Sequence, residues 1–295
     1  MNDQQPKSKT PPSFSSLTEY KEKTLEKNMV WVLGSTRSGS TWLCMNLLNH
    51  RETICWNEPD IGIHLDSIIN SSAYEYHRNR ADYFFALKHK NNFWLPGLRK
   101  LILARTHLQA KTLTKKIIIK EPESYAADLL MEFFPSSRMI FLLRDGRDIV
   151  DSWIDSHRPD SWEPARKPLT TPEMRLNKIK QYSHRWNKLT NLVWNAYQSH
   201  ESNLRLLVKY EDLLKDSLLQ LKKIYDFLDI RISEEDLAKL IDKYDFKKIP
   251  SKKKGPGQFT RSATPGIWKD NLSNTEQNVM HSIMGKTLKK MQYEV

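Results

Sequence analysis

The chain has 295 residues, enough to bury the core of one large α/β domain or two small ones. Its hydrophobic content of 39%, aromatic content of 10% and nine tryptophans exclude wholesale disorder. A formal net charge of +12 points to an anionic partner: a nucleotide, a sulfated or phosphorylated substrate, nucleic acid or an acidic membrane surface. Runs such as Lys252-Lys253-Lys254 and Lys289-Lys290 read equally well as solvated surface.

From Met1 to about Thr18 the chain is polar and rich in Ser, Pro and Lys, with no apolar segment of the kind a signal peptide or anchor needs. Residues 1–28 are therefore expected to be a disordered polar leader, and 29–295 a single domain. No stretch approaches the roughly 20 apolar residues of a spanning helix. The two cysteines, Cys44 and Cys55, are too few for a disulfide framework and read as reduced thiols, which places the chain in the cytoplasm.

Met29 to Leu33 is an apolar run closed by Gly34, the pattern of a buried strand, and Ser40 to Asn49 follows at helical spacing. Thr53 to Trp56 reads as a second strand ended by Asn57-Glu58-Pro59. Ile61 to His107 looks helical with interruptions and carries many aromatics, Tyr74, Tyr76 and Phe93 among them. Two strand-helix units come next: Lys116–Lys120 with Ser124–Phe134, where Ser124 is the expected N-cap, and Arg138–Leu143 with Gly146–His157. After a Pro-rich charged loop over 158–172, Ile179, Tyr182, Trp186, Leu189, Val193 and Tyr197 mark one long amphipathic helix. Asn203–Lys209 is a strand, and helices run on to about Tyr244. Residues 247–271, rich in Lys, Gly and Pro, read as a long functional loop or lid. Strands alternating with helices predict an α/β fold: a single domain with a mostly parallel central sheet flanked by helices.

The chemistry concentrates in VWVLGSTRSGSTWL, residues 30–43. A strand runs through a loop with Gly34 and Gly39 into a helix that opens on Ser40 and Thr41, so backbone N–H groups converge on one point and make an anion site. The spacing is that of an ATP-type phosphate loop, except that Ser40 stands where such a loop has lysine, and the nearby cation is Arg37. An enzyme that breaks the β–γ bond of ATP with Mg²⁺ needs that lysine.

RSGSTW, residues 37–42, closely resembles the K/R-S-G-T-T-W signature of sulfotransferases dependent on 3′-phosphoadenosine 5′-phosphosulfate (PAPS). The resemblance implies a P-loop-like 5′-phosphosulfate-binding loop in which Arg37, Ser38, Gly39, Ser40, Thr41 and Trp42 contact the nucleotide. IFLLRDGRDIVDSW, residues 140–153, resembles the second half of that site: Arg144 and Ser152 stand at the spacing the family uses to hold the 3′-phosphate. Arg offers a rigid two-pronged donor and Ser a short neutral one. The alternative, Arg144 paired with Asp145 or Asp148, is weighed against this, and Arg147 with Asp148 is expected to be a structural or solvated pair. YEDLL, residues 210–214, also looks like the family, with Tyr210 against the nucleotide or packed at a strand end. FTRSATPGIWKDNLS, residues 259–273, is similar to its R-K-G-x-x-G-x-W-K segment, but Ser262 and Ala263 depart from it and only Arg261 is carried over.

Sulfonate transfer needs a base for the acceptor proton and a cation for the leaving phosphate. Glu58 in CWNEPDIG resembles the carboxylate base of the tyrosylprotein and several carbohydrate sulfotransferases, with Asp60 and His64 as lesser candidates. Lys120 in IIIKEPESY resembles the family lysine that stabilises the bridging oxygen of the departing nucleotide. The resemblance thus implies PAPS as donor, 3′-phosphoadenosine 5′-phosphate (PAP) as product, no metal, and a hydroxyl or amine acceptor. The carboxylate base and basic surface lean toward a carbohydrate or other polar small molecule. A P-loop kinase and a basic nucleic-acid-binding protein are the rivals, but no helix-turn-helix, zinc-finger or RNA-motif signature accompanies the charge.

Overall fold

The structure is a computed structural model that describes residues 17–74, 80 and 82–295. Five strands, β1 (Met29–Gly34), β2 (Thr53–Asn57), β3 (Lys116–Glu121), β4 (Arg138–Leu143) and β5 (Arg205–Lys209), form one parallel sheet in the order β2-β3-β1-β4-β5. The helices are α1 (Glu19–Asn28), α2 (Ser40–Leu48), α3 (Ile61–Ala73), α4 (Leu95–Ala110), α5 (Ala127–Phe133) and α6 (Gly146–Asp155). They continue with α7 (Pro172–Ser199), α8 (Tyr210–Lys215), α9 (Ser217–Phe227), α10 (Glu234–Lys243), α11 (Trp268–Asn271) and α12 (Asn274–Lys290).

Side chains alternate across each strand, so the apolar runs of β1, β3 and β4 feed two cores at once. Met29, Trp31 and Leu33 join Ile117, Ile119, Met139 and Phe141 under α4–α7 and α12. Val30 and Val32 join Ile118, Ile140 and Leu142 under α2 and α8–α10. The long helix α7 presents Ile179, Tyr182, Trp186 and Val193 to the first core and buries Leu189 beside them, the stripe expected from its spacing. No helix of the described residues is long and apolar enough to cross a membrane.

Three expectations change. Residues 19–28, expected in the leader, form α1, because its buried Leu25 has a core to enter and Glu26 meets Arg99 of α4 at 2.5 Å. Residues 1–16, and Tyr76 with them, lie outside the described residues. The helix expected to start on Ser124 starts at Ala127, without a side-chain cap. Ser124 is spent elsewhere: its hydroxyl donates to the Glu121 carbonyl at 2.5 Å and accepts the Gly34 N–H at 3.1 Å, tying the β3 exit to the end of β1. The 247–271 segment is more structured than a bare loop, with a 3-10 turn at Ser251–Lys253, a Lys254–Thr260 bridge and α11.

Helix α3 is held at its start by Glu121, which accepts the Ile61 and Gly62 N–H groups at 3.2 and 3.3 Å. Burial pushes the Glu121 carboxyl up to about 8. Above the usual carboxylate range and up to that value, the folded chain keeps a proton that the unfolded chain has released, so this group erodes stability as pH rises. Thermal melts at pH 5 and pH 8 are expected to show wild type losing more stability than Glu121→Gln over that interval. Equal losses would remove the buried proton from the account.

Candidate active site

Strands β1 and β4 are neighbours, yet the chain leaves β1 toward β2 on one side of the sheet and β4 toward β5 on the other. Such a switch point opens a crevice at the carboxyl ends of the strands. A cavity of about 860 Å³ lies there, lined by every residue assigned above to nucleotide or chemistry except Ser38 and the two lesser base candidates, Asp60 and His64.

The loop after β1 turns sharply. Arg37 and Gly39 sit at φ +69° and +89°, in the left-handed region. At Gly39 glycine is required twice over, since a Cβ would also lie 2.5 Å from the Tyr210 ring. Ser40 and Thr41 then open α2, whose first N–H groups face the crevice without helical partners. Ser38, within the loop, is buried, and its hydroxyl has no hydrogen-bond partner among the described residues. Trp42 forms part of the wall and donates its indole N–H to the Tyr244 carbonyl at 3.1 Å.

Lys120, at the end of β3, is the buried centre of the site. Its Nζ reaches Glu58 Oε1 at 2.5 Å, Thr41 Oγ1 at 2.9 Å and Asn57 Oδ1 at 3.2 Å, which uses all three ammonium donors. Ser40 leaves the loop without the lysine of an ATP-type loop, but β3 delivers an amino group to the same place. Glu58 is fixed by the same neighbour: its amide donates to the Lys120 carbonyl at 2.9 Å, and its φ is +48°. The two side chains differ in exposure, 3% for Lys120 and 45% for Glu58, so the carboxylate faces the open cavity while the ammonium lies behind it. Asp60 and His64 do not line the cavity; Asp60 precedes α3 at φ +57°.

The second pole is a cluster of arginines. Arg144 NH1 donates to the Arg37 carbonyl at 2.8 Å, its guanidinium lies 4.4 Å from the Tyr210 ring centroid, and its buried Nε has no hydrogen-bond partner among the described residues. Arg144 does not pair with Asp145 or Asp148. The Arg37 side chain turns away from its own loop: Nε donates to Ser152 at 3.0 Å and NH2 to the Phe259 carbonyl at 2.5 Å, and the guanidinium packs against the paired rings of Trp162 and Phe259. Burial, and after it the charges of Arg144, Arg261 and Arg166, bring Arg37 down to about 10. Cations crowded this way are stabilised by an anion among them.

Helix α6 explains how the second pole is held. Asp148, Asp151 and Asp155 share one face and receive the long C-terminal loop: Asp148 takes the Gly266 N–H at 2.8 Å, Asp151 pairs with Arg261, and Asp155 takes the Gly257 N–H at 2.8 Å. The expected Arg147–Asp148 pair is absent, because Asp148 faces that loop and Arg147 binds Asp145 at 2.7 Å with its guanidinium over Trp268. The three-four spacing of these aspartates is a sequence signal that could have found them. Arg166 and the half-buried Glu123–Arg185 ion pair also line the cavity, and nothing local in the sequence marks them. Among the described residues no group of three or more His, Cys, Asp or Glu could hold a metal ion.

Residues 30–234 match the sulfotransferase family. Protein-tyrosine sulfotransferase A of Caenorhabditis elegans is 30% identical over 105 residues, which is 36% of this chain and 25% of that protein. Sulfotransferase 1B1 of Mus musculus is 24% identical over 211 residues, 66% of this chain and 67% of that one. The chain thus spans a quarter of the first relative's length and about two thirds of the second's. Among solved structures, mouse sulfotransferase SULT7A1 complexed with PAP aligns with a TM-score of 0.55 at 14% identity, covering 92% of this chain and 93% of that chain. At that identity the likeness is one of fold.

Proposed function

The chain belongs to the sulfotransferase family, and from that premise we propose that it transfers the sulfonate of PAPS to a hydroxyl or amine of a carbohydrate or other polar small molecule, releasing PAP. The observation that carries the reading is Lys120, whose one ammonium touches both Thr41 of the anion loop and the carboxylate of Glu58.

The residues present fit such a donor. The loop amides with Ser40 and Thr41 offer one anion pole, and Arg144, Ser152, Arg37 and Arg261 offer a second. Trp42, Tyr244 and Phe246 line the same cavity and offer aromatic surface suited to a base. The unpartnered Arg144 Nε and Ser38 Oγ are donors that lack an acceptor among the described residues. The PAP held by mouse SULT7A1 supports the same donor. PAPS, when bound, brings a sulfonate on a good leaving group. Glu58 removes the acceptor proton as the acceptor oxygen or nitrogen bonds to sulfur, and Lys120 stabilises the phosphate oxygen that the breaking S–O bond leaves charged. The Glu123–Arg185 pair, which places both hydrogen-bond acceptors and donors in the cavity, supports a polar acceptor.

Incubation with ³⁵S-labelled PAPS and a panel of sugars, phenols, amines and tyrosine peptides, read by mass spectrometry, tests the proposal. Sulfonate is expected on the polyhydroxylated members. Turnover of ATP with Mg²⁺, together with no binding of PAPS, would replace this reading with a kinase. In the same assay Glu58→Gln is expected to lower turnover about 10²-fold while PAP affinity stays within about threefold; wild-type rates would move the base elsewhere.

A further inference from the structure

Glu211 and Tyr293 have no part in the chemistry above, yet they hold one end of it. Tyr210 and Glu211 open α8 directly after β5. The Tyr210 ring lies under the Arg144 guanidinium at 4.4 Å. Glu211 Oε1 accepts the amide N–H of Asp145, the residue that follows Arg144, at 2.9 Å. Two consecutive residues therefore hold Arg144 from both ends, a ring beneath its cation and a carboxylate on its next peptide bond.

The carboxylate is itself held. Its Oε2 accepts the hydroxyl of Tyr293 at 3.0 Å, beyond the end of α12. Tyr293 is placed by its own amide, which donates to the Leu288 carbonyl at 2.9 Å, and by Lys209, whose Nζ sits 4.7 Å from its ring centroid. Burial, and then the Glu211 charge, push the phenol well above its usual range, so the hydroxyl keeps its proton and stays a donor. The carboxylate cannot swing away from Asp145 without leaving that donor buried and unpaired, which is costly.

We propose that Glu211 and Tyr293 are positioning residues for 3′-phosphate recognition, the Tyr293–Glu211–Asp145 chain of hydrogen bonds fixing the turn that aims Arg144 into the cavity. This rests on the reading of Arg144 as the 3′-phosphate cation. Both residues act through Arg144 and not on the donor itself.

The test is the preference for PAP over adenosine 5′-monophosphate, which differ only in the 3′-phosphate, measured by titration calorimetry on the full chain. Tyr293→Phe is expected to reduce the wild-type preference about fivefold and Glu211→Ala about tenfold or more. Glu211→Gln, whose amide oxygen still accepts the Asp145 N–H, is expected to keep most of it. Affinity for adenosine 5′-monophosphate stays within about twofold throughout. If Glu211→Ala and Tyr293→Phe keep the wild-type preference, or if both ligands weaken together, the positioning role is wrong. A wild-type chain with no preference at all would overturn the 3′-phosphate assignment of Arg144, and this inference with it.

Discussion

Replacing Lys120 by methionine is expected to lower sulfonate transfer about 10³-fold while PAP binds within about tenfold of wild type. Methionine keeps most of the buried stem's volume, so the fold around β3 loses little packing. What disappears is the ammonium that touches Thr41, Asn57 and Glu58 at once. Glu58 is 45% exposed and can be solvated when its partner is gone, which protects the variant from the penalty of a stranded buried charge. The loss therefore falls on the step, where charge develops on the leaving oxygen, more than on binding. Single-turnover rates with PAPS, set beside calorimetric affinity for PAP, separate the two. Near-wild-type turnover in Lys120→Met would remove the leaving-group cation from this site and with it the main support for the mechanism.

The parts of the molecule legible in the sequence are those fixed by local pattern. The runs MVWVL, KIIIK and RMIFLL are apolar on both faces and end in turn residues, so three central strands and their carboxyl ends could be read without contacts. The anion loop, Arg144 and Lys120 all follow directly from those ends, and for that reason their meeting in one cavity was foreseeable. Features decided by distant partners were not. Ser124 looks like an N-cap until the Gly34 amide, ninety positions away, claims its hydroxyl. Leu25 and Glu26 look like leader until the core and Arg99 receive them. Arg37 reads as part of its own loop, yet its side chain reaches Ser152 on α6.

The arginine cluster shows why contacts and not motifs set the site's final form. Four arginines meet there, and Asp151 of α6 pairs with one of them, Arg261, while Asp148 and Asp155 secure the loop that carries it. Arg37 and Arg144 have no carboxylate partner of their own among the described residues. Arg261 is thus neutralised within the fold, while Arg37 and Arg144 line the cavity without a carboxylate of their own.

Arg144→Ala is accordingly expected to weaken PAP binding about 10²- to 10³-fold and adenosine 5′-monophosphate binding by less than about fivefold. Hydrogen bonds to a charged group contribute roughly 1.5–3 kcal/mol each, and a guanidinium can place two on one phosphate. Nε, buried and without a partner among the described residues, is a donor free to make one of these bonds. Arg144→Lys keeps the charge but loses the planar fork and the stacking on Tyr210, so it should fall between wild type and alanine, closer to alanine. The alanine variant also removes the bond to the Arg37 carbonyl, a contact of 2.8 Å that steadies the neighbouring loop. That part of the loss acts on both nucleotides, and comparing the two ligands subtracts it. Calorimetric titration at two salt concentrations completes the test: wild-type affinity for PAP should drop more steeply with salt than that of the alanine variant, because one phosphate-facing charge is missing. If Arg144→Ala binds PAP as wild type does, the 3′-phosphate is held elsewhere and Arg144 is a structural brace between β4 and the anion loop.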